Sequence, residues 1–201
     1  INAGGSTLHS FFKIPFHPLL PNDSMFSVRN IRNTLKYNSE KIKIIREVEL
    51  IIIDEISMVR ADIIDFIDKV LRIYSRNMRE PFGGKQLLLV GDIYQLEPVV
   101  REEDRRLLSP FFFDAKVCEY FQLVSIELRK VYRQSDPVFI SILDHIRTSQ
   151  VPMSDLQKLN QRVGALLDES DSKLAITLST RRDTVDYIND SQLKLLPGEP
   201  T

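Results

Sequence analysis

Leu50-Ile51-Ile52-Ile53-Asp54-Glu55 is a block of four apolar residues, three of them β-branched, that runs straight into two acids. A run without alternation fits a parallel strand buried on both faces. Downstream, Ile63, Ile64, Ile67, Val70, Leu71 and Tyr74 fall on one helical stripe, which predicts a helix from about Ala61. Asp65 with Lys69, and Asp68 with Arg72, stand four apart in the favourable order and are expected to pair on its wet side. Gly83-Gly84 breaks the pattern, and Gln86-Leu87-Leu88-Leu89-Val90 reads as a second strand. Strand, helix, strand at this spacing is a βαβ unit, so the fold class is α/β with a parallel sheet and flanking helices.

Working outward, Gly4-Gly5 opens a loop, a short helix is expected near residues 8–12, and residues 13–30 read as an irregular insertion. The charged stretch 27–47 carries scattered isoleucines and suits one or two surface helices. Beyond the second strand, a short helix is expected near residues 114–120, and residues 123–128 and 174–178 read as third and fourth strands. Asp136 caps a helix with Pro137 at its first position. Phe139, Ile142, Leu143 and Ile146 are expected to be the buried face of that helix. A last helix from about Thr184 ends before Pro197. A composition shift near residues 125–133 places a domain boundary between 1–127 and 128–201.

The chain has 201 residues, 43% apolar and 27% charged, which is ordinary globular usage. A single cysteine, Cys118, excludes an intrachain disulfide framework and a Cys-clustered zinc site, and points to a reducing compartment such as a bacterial cytoplasm or a nucleus. His9, His17 and His145 lack partners at metal-ligand spacing. No apolar run approaches the roughly 20 residues that span a bilayer, so no membrane partner is expected. A net charge of −1 gives no global pull toward polyanions, and a nucleic acid would need a local cationic track. The loop 101–106 does not supply one, because acids interleave with its arginines. The chain opens on Ile1 without a signal-peptide pattern and stops at Thr201, and it reads as a piece of something longer.

In an open α/β sheet, ligands bind beyond the carboxyl ends of the strands. Asp54 and Glu55 stand there, where an aspartate can hold Mg²⁺ through its waters and a glutamate can deprotonate an attacking water. The plain alternative is that they only end a strand and begin a turn. The second strand ends likewise in Gly91-Asp92, with Gln95 three residues on. That loop can sense a phosphate or be an ordinary turn. Two acidic ends in one βαβ unit favour the first option, because parallel neighbours share an edge.

Four blocks carry a resemblance: Gly4-Gly5-Ser6-Thr7-Leu8-His9-Ser10-Phe11-Phe12; Ile52-Ile53-Asp54-Glu55-Ile56-Ser57-Met58-Val59; Gly91-Asp92-Ile93-Tyr94-Gln95-Leu96-Glu97-Pro98-Val99; and Val131-Tyr132-Arg133-Gln134. In order and spacing they resemble motifs Ia, II, III and IV of the PIF-type DNA helicases, the 5′-to-3′ branch of superfamily 1 that includes RecD-like motors. The resemblance implies a RecA-like P-loop NTPase domain over 1–127 and the start of a second over 128–201. It makes Asp54 the magnesium residue, Glu55 the general base, Gln95 the γ-phosphate contact and Arg133 an arginine finger from the second domain. On its own, Arg133 is only a surface cation before a helix cap. Thr7, His9, Ser10 and Phe11 match the segment that lines the single-stranded DNA path, although Phe11 and Phe12 cannot both face the strand. Residues 16–18 lie where the family carries a small duplex-splitting insertion. The implied cofactors are Mg²⁺ and ATP, and the implied partner is single-stranded DNA, engaged as a monomer.

A P-loop, G-x-x-x-x-G-K-[ST], is absent from these residues. Gly84-Lys85 comes nearest, but Arg79 stands where its first glycine belongs and Gln86 where its hydroxyl residue belongs. The 201-residue chain alone is therefore expected not to hydrolyse ATP. A RecD-like or conjugative relaxase-helicase motor, and a non-catalytic binding module of the same fold, are the alternatives.

Overall fold

In the computed structural model, which describes residues 4–20, 23–165, 175–196 and 198, β1 (Leu50–Ile53) and β2 (Gln86–Leu89) pair in parallel. Leu50 stands opposite Gln86 and Ile53 opposite Leu89. The crossover between them is α4 (Ala61–Ser75), whose expected stripe is wholly buried, with Ile67, Val70 and Leu71 at its centre. Before β1 come α1 (Leu8–Phe12), α2 (Ile31–Leu35) and α3 (Ser39–Glu47). Phe12, Ile31, Leu35 and Ile45 from these helices join the same core. Arg32 and Arg46 donate to the carbonyls of Ile73 and Tyr74, in the last turn of α4, where orphan acceptors and the helix dipole favour cations. The insertion is irregular as expected, apart from a tight turn at Ser24–Phe26. It is pinned to α4 by Leu19 N donating to Asp62 and by Phe26 packing edge-on to Phe66.

Both strands depart from expectation in their burial. Ile51, Ile53, Leu87 and Leu89 lie on the core face, whereas Leu50, Ile52 and Leu88 are exposed, Ile52 at 60%. The pleat sends alternate side chains to opposite faces, and among the described residues only one face has helices over it.

The ion pairs on α4 also sort differently. Arg72 and Asp68 pair at 2.8 Å as expected. Asp65 instead accepts from the N–H groups of Lys116 and Val117, and Lys69 donates to the Phe26 carbonyl. Unpaired backbone groups beside a half-buried helix face outcompete an i, i+4 partner that water could replace. Burial still raises the Asp65 pKa, despite those two backbone donors.

Residues 112–114 and 116–120 form short 3₁₀ turns where one short helix was expected. The anticipated strand at 123–128 has no ladder, and Val124, Ile126 and Leu128 are all exposed. Of the anticipated strand at 174–178, Leu174 lies outside the described residues and the rest forms none. A strand needs a neighbour for its N–H and C=O groups, and no described segment serves. α5 (Pro137–Arg147) starts on its Asp136 cap, whose Oδ1 accepts from Val138 N at 2.8 Å and Phe139 N at 3.3 Å. Only Ile142 of its expected apolar face is buried, because the described residues do not cover the rest. The chain divides into two compact units, 1–149 and 150–201, the second carrying α6 (Met153–Asn160) and α7 (Arg182–Leu193). No helix among the described residues is long and apolar enough to cross a membrane.

Cys118 is half-buried, packed against the core with Phe112 and Phe121. Burial pushes its thiol up to about 11, with Asp65, Asp114 and Asp68 adding to the effect. The thiolate is the reactive form, so alkylation at pH 8 should run at least about tenfold slower than for an exposed thiol and climb steeply toward pH 11. A rate matching a free thiol at pH 8 would contradict this packing.

Candidate functional site

Two hydrogen bonds continue past the end of the ladder. Val90 N donates to Ile53 O and Ile56 N donates to Val90 O, each at 2.9 Å. They bracket Asp54-Glu55, so these acids leave β1 at the edge where Gly91-Asp92 leave β2. Glu55 turns the chain with a left-handed φ of 52°, and Asp54 Oδ1 steadies that turn by accepting the Glu55 N–H at 2.9 Å. A tight turn at Ile56–Met58 follows, with Ile56 buried. Gly91 lies so close to it that a Cβ would sit 3.0 Å from both Ile56 N and Ile56 Cγ2. Glycine is what lets the two loops touch. Asp54 and Glu55 are both exposed, and among the described residues no group bonds the Glu55 carboxylate.

The β2 loop is organised by Asp92. Its Oδ1 accepts from Tyr94 N at 3.0 Å, its carbonyl from Gln95 N at 3.1 Å, and its Oδ2 lies 3.5 Å from Gln95 Nε2. Gln95 shares a depression of about 380 Å³ with Ser57, Met58, Tyr94 and Leu96. The structure thus brings Asp54, Glu55 and Gln95 to one rim. It also places there two residues that sequence reasoning passed over. One is Ser57, whose buried hydroxyl has no partner among the described residues. The other is Arg147, at the end of α5, which reaches Asp92. Arg133 sits on the exposed connector before α5, with no side-chain partner among the described residues.

Around α1, Thr7 is the N-cap and its Oγ1 accepts from Ser10 N at 3.2 Å. Thr7 and Ser10 are exposed. Phe12 is buried, with the Tyr37 hydroxyl donating to its carbonyl at 2.6 Å. Phe11 is half-buried, edge-on to Phe12, and covered by Lys41 Nζ at 3.4 Å from its ring centroid. Burial lowers the Lys41 pKa, with Lys13 adding to the shift. The ring left open is Phe16, 97% exposed and stacked on His9 at 5.6 Å with 11° between planes. The resemblance placed Phe16 only within the small insertion at residues 16–18, not against His9.

A profile described as PIF1-like helicase matches residues 1–155. The chain belongs to the PIF1-like helicase family. It is 33% identical over 197 residues to the ATP-dependent DNA helicase PIF1 of Danio rerio, covering 98% of this chain and 29% of that protein. Among solved structures, Pif1 helicases described as two coordinating copies unwinding forked double-stranded DNA match with a TM-score of 0.82 and 38% identity, over 98% of this chain and 45% of theirs. A Bacteroides Pif1 helicase in complex with ADP-AlF3 and single-stranded DNA matches with a TM-score of 0.78 and 35% identity, over 100% of this chain and 45% of its own. The fold is therefore the RecA-like α/β fold of PIF1-like helicases. The chain spans less than a third of the curated PIF1 relative and less than half of the two solved chains.

Proposed function

We propose that this chain is part of an ATP-dependent DNA helicase that steps 5′ to 3′ along single-stranded DNA, acting as a monomer in a bacterial cytoplasm or a nucleus. The observation that carries this is the shared rim: parallel β1 and β2 deliver Asp54-Glu55 and the Asp92–Gln95 loop to one edge of the sheet. Residues 1–127 would belong to the first motor domain and 128–201 would begin the second. The Bacteroides Pif1 solved with ADP-AlF3 and single-stranded DNA supports both ligands as the ones to test.

Asp54 fits Mg²⁺. Its Oδ1 is taken by the Glu55 N–H, and its Oδ2 has no partner among the described residues. Those residues contain no cluster of three or more metal-ligating side chains. Mg²⁺ takes one or two carboxylates with waters and phosphates rather than an all-protein cage, so a lone exposed carboxylate is a suitable donor. When bound, the ion would offset phosphate charge. Glu55, unencumbered beside it, would orient and deprotonate the attacking water. Gln95 would contact the γ-phosphate, and the planar, permanently charged Arg133 would face charge developing on the phosphoryl oxygens. Thr7, His9, Ser10 and Phe11 would line the strand path. There the Thr7 and Ser10 hydroxyls meet phosphates, and the His9–Phe16 stack offers an open ring to a base.

The test uses the whole protein, with ATP hydrolysis measured with and without an oligonucleotide and duplexes carrying either a 5′ or a 3′ tail. Hydrolysis stimulated by single strands, with unwinding from the 5′ tail, is expected. Hydrolysis indifferent to DNA, or unwinding from the 3′ tail alone, would overturn the proposal.

A further inference from the structure

Arg147 closes α5, and its guanidinium turns back to the β2 loop. Its Nη2 lies 3.2 Å from Asp92 Oδ1, and its central carbon sits 5.0 Å above the Tyr94 ring. Asp92 is the residue that already holds the Tyr94 and Gln95 backbone N–H groups. One cation therefore grips both the carboxylate that shapes the loop and the aromatic next to Gln95. The pair is only part-exposed, 40% for Arg147 and 26% for Asp92, so water competes for it less than on an open surface. Among the described residues the side chain of Gln95 has no strong anchor, since its contact with Asp92 Oδ2 is long at 3.5 Å. α5 itself is a short rod, begun just past Arg133 on the Asp136 cap and ended at Arg147.

We propose that Arg147 is a positioning residue that clamps the Gln95 loop to α5 through Asp92 and Tyr94, linking the γ-phosphate contact to the helix that Arg133 leads into. The proposal rests on the helicase reading for what Gln95 does, but not for the clamp itself. A flat guanidinium is needed, because it both pairs with a carboxylate and stacks on a ring. Lysine keeps the charge and loses the stack.

The test compares whole protein carrying Arg147→Ala, Arg147→Lys, Asp92→Asn, or Arg147→Ala with Asp92→Asn. Two quantities are followed: hydrogen exchange of the Tyr94 and Gln95 amides, and DNA-stimulated ATP hydrolysis. Arg147→Ala removes both the ion pair to Asp92 and the stack on Tyr94, each of modest strength. It should speed that exchange and lower kcat about tenfold, with KM for ATP changed less than about threefold. Arg147→Lys should recover part of the loss, and the double variant should be no worse than the poorer single one. Unchanged exchange at Tyr94 and Gln95 in both Arg147→Ala and Arg147→Lys would overturn the clamp, as would additive losses in the double variant. Wild-type protein without DNA-stimulated hydrolysis would overturn only the helicase reading, because the exchange measurement still decides the clamp.

Discussion

Glu55→Gln is expected to lower DNA-stimulated ATP hydrolysis by the whole protein about 10²- to 10⁴-fold, the span general-base removal commonly produces. Nucleotide affinity should stay within a few-fold of wild type. The amide matches the carboxylate in size, and the left-handed turn at Glu55 is held by backbone and by Asp54 rather than by the Glu55 side chain. The fold and the Asp54 carboxylate proposed for magnesium are therefore expected to be untouched, and only the proposed proton acceptor goes. Steady-state hydrolysis beside equilibrium binding of a fluorescent ATP analogue separates the two effects. Unchanged turnover would remove Glu55 from the chemistry. Loss of binding in step with turnover would make it a binding residue instead.

Ile67→Ala should be among the most damaging of simple core truncations. Ile67 is fully buried at the middle of α4, in the same core as Val70, Leu71 and Ile53. Removing its branched chain forfeits transfer energy and leaves a cavity, together about 2–5 kcal/mol. That is a large share of the about 5–15 kcal/mol that stabilises an ordinary domain. Thermal melting should fall by on the order of 10 °C for a unit of this size. Ile52→Ala, on the uncovered face of the same sheet, is the internal control and should cost far less. Equal losses at the two positions would mean that both faces of β1 are packed, as the unbroken apolar run first suggested.

That contrast marks how far the sequence could be read. The segments of the βαβ unit, the α4 stripe and the Asp136 cap were legible because each depends on neighbours within a turn or two, where periodicity and capping chemistry act. Asp54, Glu55 and Gln95 were legible as candidates for the same reason: each follows a strand end, and strand ends were visible. Asp65 was misplaced because its true partners are the N–H groups of Lys116 and Val117, as many as 52 residues away along the chain. The exposed face of α5 was misjudged because a stripe shows only that a face is apolar, not that anything covers it. Phe16 stood in a stretch read as an irregular insertion, and only the fold shows that it stacks on His9.

Local chemistry, then, settled on its own the β1–α4–β2 segments and which acids end those two strands, but not the strands expected at 123–128 and 174–178. Family membership could be read from the order of those blocks. Tertiary structure alone decided that the two strand-end loops touch at Gly91, that one face of the sheet is left uncovered by the described residues, and that Arg147 reaches back to Asp92. The reason is physical. Backbone propensity is decided over a few residues, whereas a buried contact or a chosen ion pair depends on which distant segment packs there and excludes water.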